Sequence, residues 1–275
     1  MSGSSGSLMI WRPLPILAAL VLISVVMLAA LAPIVSPYEP ETIDLSAILQ
    51  PPSSTHWAGT DELGRDVFSR ILHGARPSLM SALLIVAIGA VIGTAVGAVA
   101  GLLGGLIDTI VMRVVDMMLA LPGLVVAMAL TAALGPSLLN ASIALGVLSI
   151  PAYTRIARGQ ALSLREREFV QAAKAMGAGT TFIASRHIIP NIMPPMLVYT
   201  STHLGGAILA SSALSFIGLG MQPPHAEWGA MVGAGREYVL SAWWLVTFPG
   251  IAVALSAMSA NLIGDALRDA VDPSA

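Results

Sequence analysis

Five stretches of this chain carry no Asp, Glu, Lys or Arg for at least 26 residues each: 13–38, 77–107, 117–154, 188–226 and 238–264. A helix needs about 20 apolar residues to cross the hydrocarbon of a bilayer, and a charge at its centre costs about 2.5–3.5 kcal/mol. The stretches therefore predict membrane spans. Only 10% of the 275 residues are charged, against roughly 25% in soluble proteins, so a water-facing exterior cannot be built and a soluble enzyme is excluded. A net charge of −2 and a single lysine exclude a nucleic-acid binder, which needs a basic face for phosphates. That lysine, Lys174, lies between Ala173 and Ala175 and not in the Gly-Lys-Ser/Thr setting of a phosphate-binding loop, so ATP hydrolysis by this polypeptide alone is not expected. With no cysteine there is no disulfide, thiolate metal site or thiol nucleophile.

The stretch 117–154 holds 38 residues, about 57 Å as one helix against a hydrocarbon core of about 30 Å. It must fold back, and Gly135, Pro136, Ser137 and Asn140 form its polar, helix-breaking cluster. In 188–226, Pro190, Pro194 and Pro195 trim one end and Gly218, Gly220, Pro223 and Pro224 the other, leaving a span near 196–217. Six spans result. The first reads as a retained anchor over 13–36, because its apolar run exceeds the 7–15-residue core of a cleaved signal peptide, the alternative. Residues 1–12 read as a flexible cytoplasmic tail, 37–73 as an outer segment with Trp57 as interfacial anchor, 74–265 as the transmembrane core and 266–275 as a second tail. With the N-terminus inside, nine basic residues fall on cytoplasmic segments and four (Arg65, Arg70, Arg76 and Arg236) outside, which predicts that both termini are cytoplasmic.

Gly89, Gly93, Gly97, Gly101 and Gly105 recur every four residues through the second span. Such a stripe lets another helix approach closely, whether in this chain or in a partner.

The inner loop 155–195 is the most informative segment. Phe169, Ala172, Ala173 and Met176 recur at i, i+3, i+4 and i+7 and predict one apolar face of a short amphipathic helix, opened by Arg165, Glu166, Arg167 and Glu168 and ended at Gly177. A second short helix is predicted near 180–187, closed by Pro190. A face made mostly of alanine suits a protein groove better than a lipid surface. Ala172-Ala173, three residues, Gly177, nine residues and Ile189-Pro190 together resemble the EAA loop of the integral-membrane subunits of bacterial ABC importers. Two positions depart from that pattern, Gln171 for the family's glutamate and His187 for its isoleucine. His187 followed by Ile-Ile-Pro-Asn is similar to the dipeptide, oligopeptide and nickel branch. So are Gly59-Thr60-Asp61-Glu62-Leu63-Gly64-Arg65-Asp66-Val67-Phe68-Ser69-Arg70, the segment from Leu214 to Gly220 with Glu227-Trp228-Gly229, and Asn261 to Asp269 with Asp272-Pro273, the last resembling the second permease of a pair.

The resemblance implies an all-α integral membrane protein with six transmembrane helices, the type I ABC importer permease fold, and a cytoplasmic coupling helix. It implies that Glu168, Phe169, Gln171, Ala172, Ala173, Lys174, Met176, Gly177, Ala178, His187 and Pro190 belong to the loop that docks on the ATPase. The implied partners are a homologous second permease, two cytoplasmic ATP-binding subunits and an extracytoplasmic solute-binding protein, in the bacterial inner membrane. ATP and Mg would be held by the partner ATPases, with no cofactor on this chain. Di- or oligopeptides are the expected substrates, nickel chelates the alternative, and a self-sufficient secondary transporter a more distant one.

The remaining polar residues are ambiguous from sequence. Asp108, Arg113 and Asp116 are expected to pair locally at an inner-leaflet turn. Of His56, His73, His187, His203 and His225, only His203 falls inside a span; it either hydrogen-bonds within the bundle or touches a transported metal complex. Ser201, Thr202 and His203 make the nearest approach to a catalytic triplet, with no positioned acid beside them. The 14 methionines read as adaptable packing.

Overall fold

The structure is a computed structural model that describes residues 13–271; residues 1–12 and 272–275, including the expected flexible N-terminal tail and Asp272-Pro273, lie outside the described residues. Its helices are α1 (Pro13–Val35), α2 (Val67–Ile88), α3 (Thr94–Leu103), α4 (Gly105–Leu119), α5 (Gly123–Leu134), α6 (Leu138–Arg165), α7 (Glu168–Ala175), α8 (Thr180–Ile183), α9 (Ile189–Phe216), α10 (Trp228–Gly235) and α11 (Trp244–Val271). A π-helical turn at Gly89–Gly93 joins α2 to α3, and another at Ala184–Ile188 joins α8 to α9. Among the described residues the only β pairing is an isolated bridge between Thr60 and Asp66.

Three helical runs are long and apolar enough to cross a membrane: Pro13–Val35, Val67–Leu103 and Trp244–Ala270. The pair Gly105–Leu119 and Gly123–Leu134 makes a fourth if the two helices, bent by 87°, count as one span. Helices α6 and α9 have 28 residues each, enough length for a crossing, but α6 carries Arg155, Arg158 and Arg165 at its end and α9 is diluted by Ser, Thr, Asn and Pro.

Lipid tails are as apolar as leucine, so helices in a bilayer gain from close van der Waals approach and less from apolar area. The buried set matches that physics: Ala82, Ala127, Ala141, Ala157, Ala161, Ala207, Ala257 and Ala260 are buried while Leu14, Leu17, Leu20, Ile23, Leu130 and Met258 face outward. Helix α9 packs most extensively on α11, and α3 on α6, while α1 lies against α11 and α2.

The fold-back at 135–137 has a clear local cause. Gly135 takes φ +94°, the Ser137 hydroxyl accepts the Asn140 amide as an N-cap for α6, and the Asn140 side chain donates to the carbonyls of Leu134 and Gly135. Several expected boundaries shift. The second span does not begin at Pro77: its helix starts at Val67, where the Asp66 carboxylate caps it by accepting from Ser69, and Pro77 lies inside the helix. It also ends at Leu103, because Gly104 and Gly105 both take positive φ. A second break, at Ala120–Pro122, was not anticipated; it produces the 87° bend. Pro190 does not close the loop helix before a span near 196. Instead the π turn, with the Ile189 amide donating to the Ala184 carbonyl, carries the helix through Pro190, Pro194 and Pro195. The last helix starts at Trp244, not 238, and runs on through Asp265, Arg268 and Asp269.

Candidate functional site

Helix α7 is fastened to the bundle by Val170 and Ala173, both buried against Ala157, Ala161, Ile183 and Ile188, in a cluster that also takes in Ala98 and Leu102 of α3 and Ile192 and Met196 of α9. The predicted face therefore divides. Ala173 turns inward with Val170, a residue outside the expected set, whereas Phe169, Ala172 and Met176 remain exposed, Met176 at 82%. Period counting from Phe169 misses Val170 because an eight-residue helix packed on one side and open on the other carries two apolar stripes.

The helix ends in a Schellman arrangement: the Ala178 amide donates to the Ala173 carbonyl and the Gly177 amide to the Lys174 carbonyl, with Gly177 at φ +84°. Gln171 turns its side chain back and donates to the Arg165 carbonyl, tying α7 to the end of α6. His187 lies between the rings of Phe169 and Phe182, 5.8 Å from each, and Glu168, Lys174 and Pro190 are exposed.

Above this loop, the glycine stripe faces α6 of the same chain. A Cβ on Gly93 would lie 2.5 Å from Tyr153 Cβ and 2.7 Å from the Ile150 carbonyl oxygen, and one on Gly101 would lie 2.7 Å from the Arg158 carbonyl oxygen. Gly89 meets Ser149 and Tyr153, and Gly97 meets Thr154 and Ala157. Gly105 departs from the stripe: it follows the break at Gly104, takes φ +58°, and has nothing within 4 Å of its Cβ position. Asp108 and Asp116 pair with α6 and not with Arg113. Arg158 grips Asp108 with two nitrogens, Nη2 to Oδ2 at 2.6 Å, and Arg155 Nη2 reaches Asp116 at 2.7 Å. Those two pairs hold α4 alongside α6.

Where α6 crosses α9, Tyr153, Tyr199 and His203 form an aromatic group with centroid separations of 4.8–5.6 Å. The Tyr153 hydroxyl, the Thr154 hydroxyl and His203 Nδ1 are buried without a hydrogen-bond partner, so Nδ1 does not make the bond expected of it within the bundle. Ser201 and Thr202 donate to the carbonyls of Val198 and Tyr199 in their own helix and not to His203. An apolar groove of about 300 Å³ runs between the Gly89–Gly93 turn with α3 and the start of α9, lined by Ala90, Thr94, Met193, Met196 and Thr200 among others.

At the opposite end of the bundle, segments far apart in sequence meet. Asp61 accepts from the amides of Leu63 and Arg65 and from Arg65 Nε at 2.6 Å. Arg70 donates to the carbonyls of Pro40 and Pro224, and Trp244 Nε1 to the Thr60 carbonyl. Glu227, fully buried, accepts from the Ser78 hydroxyl and from the amides of Gly229 and Ala230. Asp66 also receives His56 Nδ1 at 2.9 Å, and two hydrogen bonds from Ser46 hold the exposed Asp44 carboxyl below the usual carboxylate range. Trp57, the expected interfacial anchor, is exposed and lies 5.1 Å from the Phe68 ring. Sequence reading separated these motifs; the distances show that Asp61–Arg70 and Pro224–Trp228 are one hydrogen-bonded unit. Among the described residues no group of three or more His, Asp or Glu side chains is placed to hold a metal ion.

Comparison with known proteins agrees with this architecture. The chain is 47% identical to the probable D,D-dipeptide transport system permease protein DdpC of Escherichia coli K12, over 98% of this chain and 92% of the relative. It is 42% identical to the di/tripeptide transport system permease protein DppC of Pseudomonas aeruginosa UCBPP-PA14, over 92% of this chain and 86% of that one. The fold matches a chain of the MetNI methionine ABC transporter in an inward-facing conformation with a TM-score of 0.60 at 18% identity, covering 74% of this chain and 97% of that one. Residues 93–275 match the family described as binding-protein-dependent transport system inner membrane component. This chain belongs to that family of transport permeases.

Proposed function

We propose that the chain is one of two permease subunits of an ABC importer that carries di- or oligopeptides across the cytoplasmic membrane, driven by ATP hydrolysed with Mg on two partner subunits and supplied by an extracytoplasmic binding protein. The observation that carries this reading is α7: a short helix whose inner residues, Val170 and Ala173, are packed against α6 and α8 in a cluster that extends to α3 and α9, while Phe169, Ala172 and Met176 stay open to a partner. A groove closing on that open face would move α7, and α7 would move α6 and α8, on which it is packed. The peptide names of the relatives favour peptides over nickel.

Contact register supports six crossings. Gly93 meets Ile150 and Tyr153 while Gly101 meets Arg158 and Ala161, so α3 and α6 run in the same direction, and the bent pair α4 and α5 must return the chain between them. Gly205 meets Ala257 and Asn261 while Gly264 meets Thr202, so α9 and α11 run oppositely. Together with α1 this makes six passes, and the excess of basic residues on the α7 side favours cytoplasmic N- and C-termini.

The test is copurification of the importer followed by uptake of labelled peptide into proteoliposomes. Phe169→Asp and Met176→Asp change only exposed positions, so the permease should fold while the ATPases dissociate and uptake falls at least tenfold. Undiminished assembly and uptake in both variants would remove the docking assignment.

A further inference from the structure

The polar group inside the bundle is not explained by packing. A buried hydroxyl or ring nitrogen with no partner is costly, and an ionisable side chain at membrane depth is rare unless it meets a substrate or a partner. Here three such atoms, Tyr153 Oη, Thr154 Oγ1 and His203 Nδ1, stand unpartnered where α6 crosses α9. Tyr153 is wholly buried and wedged against Gly89 and Gly93, so its ring cannot swing away to find water within this conformation.

The apolar groove and this group share one stripe of α9. On α9, Ile189, Met193, Met196 and Thr200 line the groove at alternating steps of four and three residues, and the next step of three along the same stripe is His203. The Thr200 hydroxyl, a polar atom in the groove wall, is turned to the Met196 carbonyl at 2.8 Å. Apolar walls suit side chains of varied size, and the unpartnered donors and acceptors suit a main-chain amide, which offers one N–H and one C=O wherever it occurs.

We propose that Tyr153, Tyr199 and His203, with the groove lined by Met193, Met196 and Thr200, form a station that hydrogen-bonds the main chain of a peptide in transit. The assignment rests on the importer reading above and adds to it the place where substrate is held. Tyr153 Oη and His203 Nδ1 bond the peptide amide when α6 and α9 part, and they lie unsatisfied when the helices close. Such a station discriminates peptides from solutes lacking amides, and it tolerates diverse side chains.

The experiment uses the complete importer in proteoliposomes with a labelled dipeptide as probe. Tyr153→Phe removes only an unpartnered hydroxyl, so the protein should be as stable as before or more so, and peptide uptake should nevertheless fall about tenfold while binding-protein-stimulated ATP hydrolysis persists. His203→Phe should act likewise, and His203→Gln, which keeps a donor and an acceptor, should recover much of the loss. A photo-reactive phenylalanine analogue at 199 should cross-link to the labelled peptide. Full uptake in Tyr153→Phe and His203→Phe would overturn the station. So would loss of the second permease from the purified Tyr153→Phe complex, because that assigns the site to assembly. Failure of the unsubstituted complex to transport any peptide would instead count against the importer reading itself.

Discussion

Adding a single methyl group to the glycine stripe should separate α3 from α6. In Gly101→Ala the new Cβ would lie 2.7 Å from the Arg158 carbonyl oxygen, 2.8 Å from Ala161 Cβ and 3.3 Å from the Leu162 amide nitrogen. Ordinary contact begins near 3.4 Å, so one backbone must retreat by roughly 0.7 Å, and two of the three opposing atoms are themselves backbone. No rotamer change relieves the overlap. Overpacking of this kind costs about 1–3 kcal/mol, against about 0.5–1 kcal/mol recovered because alanine favours helix over glycine. The net loss of about 1–2 kcal/mol should lower the melting temperature by roughly 2–8 °C, at about 2–4 °C per kcal/mol. Gly159→Ala on α6 is the matched control: its Cβ meets nothing within 4 Å, so only the propensity gain of about 0.5–1 kcal/mol remains and the melting temperature should rise. Tryptophan fluorescence during heating of the detergent-solubilised or nanodisc-held complex reads both. Equal shifts of the same sign in the two variants would refute the claim that backbone-to-backbone approach at the stripe holds α3 on α6.

Three further outcomes follow from particular contacts. Gly177→Val forces a β-branched residue into a left-handed conformation, at about 1–2 kcal/mol, and should lower uptake more than Gly177→Asn, because asparagine tolerates that conformation; equal uptake would show that the turn after α7 does not matter. Glu227→Ala strips the acceptor from the Ser78 hydroxyl and two amides, so a loss of about 3 kcal/mol or more is expected in melting experiments, and Glu227→Gln should lose less. A double-mutant cycle on Asp108→Asn and Arg158→Gln should give a coupling of about 1 kcal/mol, since the pair is bidentate but partly exposed; zero coupling would mean that the pair does not hold α4.

Some parts of this molecule are readable from residue order because they depend on local chemistry. The uncharged stretches mark where helices can cross, and Gly135 to Asn140 mark a turn because its hydrogen bonds join neighbours in sequence. The Gly177 stop follows from a backbone angle that glycine reaches without strain. Counting charges cannot see the break at Pro122, which interrupts a helix without altering its polarity, nor the π turn that lets α9 begin before Pro190. The far partners were also hidden. Arg70 and Pro224 are 154 positions apart and meet only after the seven helices α3 to α9 have been arranged between them. The partition of α7 into an inner and an outer side required the neighbours of Val170, which lie on α6, on α8 and in the adjoining π turn. His203 stands out in the sequence as the histidine inside a span, but Tyr153 gives no signal there, and that both carry unpartnered atoms is a property of packing and not of spelling.

Three glycines, Gly93, Gly97 and Gly101, bring α3 and the π turn within reach of the main-chain oxygens of Ile150, Thr154 and Arg158 on α6. A contact made through side chains can absorb displacement by small rotamer adjustments, whereas one made through main-chain atoms has almost no such compliance. If the proposed docking at α7 is right, a displacement passed from Val170 and Ala173 to α6 would run along both helices with little loss, as through a beam bolted at three points. The give must be elsewhere, at the 87° bend between α4 and α5 and at the Gly104–Gly105 joint, where main-chain geometry is held by few neighbours. Stiffness and compliance are thus separated along one chain, which is what a lever needs if a stroke at the α7 end is to be felt at the other end of the bundle.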